Sequence, residues 1–192
     1  MRIAKTVTAV LLMAVLAIVS GSVVRNTHAG EAPDAKAAPS ADEQVAGLEQ
    51  MCAENADAMA LRQSEKSLYE RMGGDEKIHE ITREVVRLHL QNPKIVHLLD
   101  GVDNDQLAHG VAQFIIAGTG GPSVYAGPSL TASHAHLKLT NDDFMAAGGD
   151  VIQAMKNVGC GENEINEMVC ALVSLRDQVV LTPDSEETAA KH

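Results

Sequence analysis

Apolar residues recur at intervals of three and four positions over much of this 192-residue chain. Such spacing places them on one face of an α-helix. The stretches with this spacing are 78–88, 111–118, 144–158 and 165–180. Aromatic residues make up only 2% of the chain, so Leu, Ile, Val, Met and Ala have to build the core. Because that mixture favours helices over a β-sandwich, the pattern predicts an all-α domain.

The first 29 residues differ in character from the rest of the chain. Arg2 and Lys5 precede an apolar run over 7–19, and small and polar residues follow up to Ala29. This layout is typical of a secretory signal peptide. The run of about 13 residues is shorter than the roughly 20 that span a bilayer as a helix. We expect export to the periplasm or the cell exterior, with membrane anchoring only if the leader 1–29 is not cleaved.

The remaining chain divides into three parts. Residues 30–65 form a linker, rich in Ala and Pro, and an accessory segment with a weak apolar stripe that could become a helix. The domain proper is predicted at 66–181, and the polar tail 182–192 is predicted to be disordered. Within the domain, the Gly- and Pro-rich stretch 119–133 predicts a loop with only a short helix before His134.

Charge and cysteine content restrict the partners. The formal net charge of -11 argues against nucleic acid and against a membrane partner beyond the export signal, because like charges repel. Three cysteines leave at least one unpaired, although an exported chain can hold a disulfide. The spacing contains neither a C-x-x-C zinc motif nor C-x-x-C-H haem attachment. We expect Cys52, Cys160 and Cys170 each to be a small buried apolar residue.

His134 is the histidine whose surroundings best suit chemistry. It follows the Gly- and Pro-rich loop and precedes Leu137 and Leu139. Neutral imidazole is a good ligand for iron, and apolar neighbours keep a haem bound and dry, although an ordinary partly buried His fits the same pattern. A zinc site formed by His134, His136 and His109 is another interpretation, but the sequence contains no H-E-x-x-H motif of the kind found in zinc proteases.

Several motifs resemble one family when they are read in order. The first is the glycine motif Ser67-Leu68-Tyr69-Glu70-Arg71-Met72-Gly73-Gly74. The second joins Phe114 to Gly120-Gly121-Pro122, Tyr125 and Gly127, and the third runs from Leu130-Thr131-Ala132-Ser133-His134 to Leu139-Thr140-Asn141-Asp142-Asp143-Phe144. From Ser67 to Val180 the chain resembles the truncated haemoglobins, most closely their first group, which contains protozoan and cyanobacterial globins.

The resemblance implies a truncated globin, a two-over-two sandwich of antiparallel helices around non-covalent haem b. His134 would be the proximal iron ligand. Six apolar residues would contact the haem: Leu107, Val111 and Phe114 on the distal helix, and Leu130, Leu139 and Phe144 at the proximal side and edge. Each of the six could equally be a plain core residue.

The chain departs from the family pattern mainly on the distal side. Val85 and Val86 replace an aromatic pair that usually supplies a Tyr hydroxyl, and Leu107 and Val111 stand where Gln is often found. Leu98 or Leu99 replaces the aromatic residue that wedges the haem, and His136 replaces a Gly. Without a donor, the partial negative charge of dioxygen is not stabilised. We expect lower oxygen affinity and faster autoxidation, with less discrimination against carbon monoxide or nitric oxide.

His109 provides another possibility on the distal helix. Some family members close the distal site with a histidine that aligns here with Gly110. A shift of one residue rotates a helical side chain by about 100°. His109 is therefore a distal iron ligand only if the helix is adjusted.

The sequence thus predicts a haem-binding protein, rather than an enzyme, that binds oxygen, nitric oxide or carbon monoxide, or exchanges electrons with a partner at the haem iron. The alternative is a haem-free, globin-shaped sensor or interaction module, which the missing distal and wedging aromatics favour. A zinc hydrolase that uses histidines is the third reading.

Overall fold

A computed structural model describes residues 38–181, and these form helices without any strand. The α-helices are α1 (Ala41–Glu65), α2 (Leu68–Met72), α3 (Gly74–His89), α4 (Asn104–Gly118), α5 (Leu130–His134), α6 (Asn141–Asn157) and α7 (Glu162–Ser174). Short 3-10 turns lie at Val96–Leu99, Ala135–Leu137 and Arg176–Gln178. The predicted all-α class is confirmed. The leader 1–29, the start of the linker and the tail 182–192 lie outside the described residues.

Polar residues define where several helices begin. At α6 the Thr140 hydroxyl accepts from the Asp143 amide while the Asp143 carboxylate accepts from the Thr140 amide, which makes a capping box. At α4 only half of that arrangement forms, since Asp103 accepts from the Gln106 amide at 3.0 Å. Gly159, with φ 83°, follows α6 in the left-handed conformation that glycine adopts at helix ends.

The buried core lies among α2, α3, α4, α6 and α7. α3 packs against both α4 and α6, while α7 packs against α6 and α2. The fully enclosed apolar residues lie within the predicted helical stretches, and they are Ile78, Ile81, Ala112, Ile116, Ala154 and Met155. All four predicted stretches therefore contribute to one common core, although α4 buries the face of Ala112 and Ile116 and not that of Val111 and Phe114.

Residues 41–65, which we expected to be an accessory segment, form one helix of 25 residues. α1 packs against α6 and α7, and Val45 on its inner side is buried. A disulfide joins Cys52 of α1 to Cys170 of α7. The expectation that these two cysteines are plain apolar residues is therefore wrong, because the fold brings together positions 118 residues apart.

Buried charges provide a second connection between α1 and the core. Glu167 of α7 is only 7% exposed and pairs with two guanidinium groups. Arg62 at the end of α1 approaches one carboxylate oxygen at 2.6 Å, and Arg71 of α2 pairs with the other. Arg71 also reaches Glu164 at 2.8 Å. Because two cations compensate the buried carboxylate, α1 and α2 are held on the same side of α7.

Within residues 38–181, none of the helices is both long enough and apolar enough to cross a membrane.

Candidate functional site

The segment around His134 begins where the Gly- and Pro-rich loop ends. Ser129 caps α5 by accepting a hydrogen bond from the Ala132 amide at 3.2 Å. α5 lasts only five residues and ends at His134, so the predicted short helix is confirmed. After the following 3-10 turn, Lys138 adopts φ 51° and redirects the chain toward α6.

The imidazole of His134 is fixed by its own helix. Its Nδ1 atom lies 2.8 Å from the carbonyl oxygen of Leu130. A carbonyl oxygen only accepts, so Nδ1 carries the proton and donates it in this bond. In the neutral ring, Nε2 is then the nitrogen that carries the lone pair. A neutral imidazole oriented through its second nitrogen has the arrangement that metal-ligating histidines use.

The 3-10 turn that follows α7 packs against this segment. Arg176–Gln178 lies against α5, and the Arg176 Nε atom donates to the Asn141 side-chain oxygen at 2.7 Å. Asn141 is the first residue of α6. The turn that follows α7 thus connects the short helix of His134 to the start of α6.

The second part of the candidate site is one face of α4. A helix turns about 100° per residue, so Leu107, Val111 and Phe114 lie within roughly 60° of one another. Their neighbours Ala108, Ala112 and Ile116 are buried on the side of the core. The ring of Phe114 packs edge-on against Tyr125 of the loop, with ring centres 5.2 Å apart. This aromatic contact holds the loop against α4.

The exposure of the six predicted contact residues supports a cofactor site. They occupy α4 and the α5–α6 region, and all are partly exposed: Leu107, Val111, Phe114, Leu130, Leu139 and Phe144. None belongs to the buried core. Partly accessible apolar walls together with one oriented neutral imidazole nitrogen suit an apolar iron macrocycle, so these residues fit haem.

His109 does not lie on the face of α4 that carries the apolar residues, where a distal iron ligand would have to lie. It lies about 160° around α4 from both Leu107 and Val111. Its ring instead lies beside that of His79 on α3, with ring centres 5.5 Å apart and planes 16° apart. Its role as a distal ligand stays a prediction, and this placement disfavours it. Among residues 38–181, His109, His134 and His136 do not form a group that could hold a metal together.

Sequence reasoning missed the role of His89. Its Nδ1 atom lies 2.9 Å from an Asp150 carboxylate oxygen, which also accepts from Asn92 at 3.0 Å. The contact joins the end of α3 to α6. Nothing in the sequence pairs positions 61 residues apart, so only the fold could show it.

The family model for the bacterial-like globins matches residues 67–180. This match spans the helices α2 to α7 and both parts of the candidate site. The chain is a bacterial-like globin. The resemblance to truncated haemoglobins predicted from the sequence is therefore confirmed. Haem is the cofactor of truncated haemoglobins, in agreement with the haem b that the sequence predicts.

Solved structures show the fold of this globin independently. The Fe(III) form of truncated haemoglobin from Tetrahymena pyriformis is similar, with a TM-score of 0.59 and 22% identity over 61% of this chain and 100% of that one. The 2/2 haemoglobin from Synechococcus sp. PCC 7002, solved in the cyanomet state with covalently attached haem, is also similar. Its TM-score is 0.57, with 22% identity over 59% of this chain and 98% of that one. The predicted two-over-two helical sandwich is confirmed. Comparison with curated proteins gives no significant match.

Proposed function

We propose that this globin binds haem b non-covalently and that Nε2 of His134 is the proximal iron ligand. The observation that supports this most directly is the 2.8 Å hydrogen bond from His134 to the Leu130 carbonyl. The bond fixes the tautomer, so the lone pair is on the nitrogen that is free to bind iron. It also fixes the ring plane, which reduces the rotamer entropy lost on ligation.

Apolar side chains would hold the macrocycle on both of its faces. Leu107, Val111 and Phe114 belong to the distal wall, whereas Leu130, Leu139 and Phe144 belong to the proximal side and edge. These partly exposed side chains would be withdrawn from water by the macrocycle, which contributes roughly 25 cal/mol per Å² of apolar surface. When bound, haem b supplies an iron that takes up a diatomic gas and gains or loses one electron.

The side chains of the distal wall determine which gas is retained. Retention of dioxygen depends on a hydrogen-bond donor beside it, since the ligand takes up partial negative charge. Leu107 and Val111 have no donor, and Val85 and Val86 are buried without one. We therefore propose binding of carbon monoxide or nitric oxide, or electron exchange with a partner, ahead of stable oxygen carriage.

We further propose that the globin is exported. The Cys52–Cys170 disulfide supports export, because disulfides persist in oxidising compartments and are rare in the cytosol. Expression with its own leader in a Gram-negative host, followed by cell fractionation and mass spectrometry of the amino terminus, tests this. A processed chain in the periplasmic fraction is expected, while an unprocessed cytosolic chain would refute the proposal.

Haemin titration tests the central proposal. The wild-type chain should bind one equivalent and develop a Soret band, while His134→Ala should shift that band or bind haemin at least tenfold more weakly. His136→Ala is the matched control, because His136 lies two residues away on the same short segment and is exposed. A folded wild-type chain that stays colourless would instead support the haem-free sensor or interaction module.

A further inference from the structure

His79 and His109 bring two imidazoles together away from the candidate haem face. His79 lies on α3 and is partly buried, and His109 lies on α4 and is exposed. Between these helices the packing is tight, since Thr82 of α3 and Ala112 of α4 are both fully buried. The small buried side chains let the helix backbones approach, so the two histidines meet at the surface of the crossing.

The spacing of the two rings suits a single bound metal ion. Their centres are 5.5 Å apart. Two imidazoles on one tetrahedral ion, each with a metal–nitrogen bond of about 2.0 Å, have ring centres roughly 5 Å apart. The rings are now stacked with their planes 16° apart, and because the torsion about the Cβ–Cγ bond is broad, each ring can turn toward a shared ion.

The nitrogens of both rings are available for ligation. Among residues 38–181, neither imidazole makes a hydrogen bond to a protein group, in contrast to His89 and His134. No third His, Cys, Asp or Glu in this part of the chain completes a larger metal cluster with them. Water would fill the remaining coordination positions, which gives an open site with two protein ligands.

We propose that His79 and His109 form a surface site for a divalent transition metal that links α3 to α4. Imidazole ligands select Cu²⁺, Ni²⁺ and Zn²⁺ over Mg²⁺ and Ca²⁺, and Cu²⁺ binds most tightly in this series. The ion stabilises the crossing of the two helices because only the folded chain holds both imidazoles at this spacing.

The site is separate from the haem site in its residues but shares one helix with it. His109 lies about 160° around α4 from Val111. The metal therefore contacts no residue of the distal wall, yet it fixes the helix that bears that wall. The inference does not depend on haem binding, since it uses neither His134 nor any of the six apolar contact residues.

Calorimetric titration of the purified, haem-loaded chain with CuCl₂ at pH 7.5 tests the proposal. The wild-type chain is expected to bind one Cu²⁺ that both His79→Ala and His109→Ala weaken at least tenfold. His136→Ala is the matched control and should bind as the wild type does. Paramagnetic resonance of the copper should show two imidazole nitrogens in the wild type and at most one in either variant.

Two further measurements distinguish loss of the copper site from loss of the haem site. The Soret band of the His79→Ala protein should be unchanged, because His79 is not part of the candidate haem site, so loss of copper and loss of haem are read independently. Cu²⁺ should also raise the thermal midpoint of the wild type and not that of the double variant. Equal copper affinity in the wild type and the double variant would overturn the proposal and leave the two rings as an aromatic contact.

Discussion

Cys52 and Cys170 are joined by a disulfide that connects α1 to α7, with their Cα atoms 5.5 Å apart. The bond closes a loop over 118 positions of sequence. α1 precedes residues 67–180, which match the globin family model, so the disulfide attaches an additional helix to the globin fold. Glu167 and Arg62 make a second attachment near the C-terminal end of the same helix.

Removing the disulfide should destabilise the whole domain. Closing a loop of this length restricts the unfolded chain, and we expect the Cys52→Ala/Cys170→Ala double variant to lose about 2–4 kcal/mol of unfolding free energy. Urea denaturation without reductant measures the loss. Cys160→Ala is the matched control and should cost about 1 kcal/mol or less, because that residue is unpaired and only partly buried. Equal losses in both proteins would contradict the account.

Glu84 should give the domain part of its acid sensitivity. The Arg87 guanidinium and then the Asn157 amide hold the pKa of the Glu84 carboxyl at about 2, below its ordinary value of 4.5. Because the folded-state pKa is the lower one, this contribution is present above about pH 4.5 and is lost as the pH falls toward 2.

The variant Glu84→Gln should therefore be less stable than the wild type at pH 7, and the difference should shrink at pH 3. Urea denaturation followed by circular dichroism at both pH values measures it. Glu80→Gln, on the same face of α3 but without Asn157 as a partner, is the control. A difference that grows on acidification would refute this assignment.

A donor added to the distal wall should increase the retention of dioxygen. Leu107→Gln places an amide on the face of α4 that has none, and a hydrogen bond to a partly charged ligand contributes about 1.5–3 kcal/mol. We expect dioxygen to dissociate at least tenfold more slowly, with carbon monoxide affected less. Stopped-flow spectroscopy gives both rates, and Leu107→Met controls for the change of shape. An unchanged oxygen rate in Leu107→Gln would place Leu107 outside the distal wall.

Local patterns predicted most of the fold. The four apolar stretches predicted α3, α4, α6 and α7, and the Gly- and Pro-rich stretch predicted the short α5 before His134. The order of α1 was less predictable because its apolar stripe is weak. What holds this helix is the disulfide from Cys52 and the buried pairing of Arg62 with Glu167, and no local pattern encodes contacts across about a hundred residues.

The part of the candidate site that could be predicted is formed by residues close together in the sequence. His134 and the carbonyl that orients it are four residues apart, so the short helix alone brings them together. The contacts of His89 with Asp150 and of His79 with His109 depend on how α3 packs against α6 and α4. Helical spacing fixes the face of a residue but not its neighbour on another helix, which explains why both were missed.

Imidazole rescue of His134→Gly tests the assignment of the proximal ligand most directly. Removing the side chain takes away the ligand and leaves space for a free imidazole where the ring was. We predict that the variant loses the wild-type ferrous spectrum after haemin loading and that added imidazole restores it, while His136→Gly shows neither effect. A wild-type spectrum in His134→Gly before imidazole is added would contradict the account.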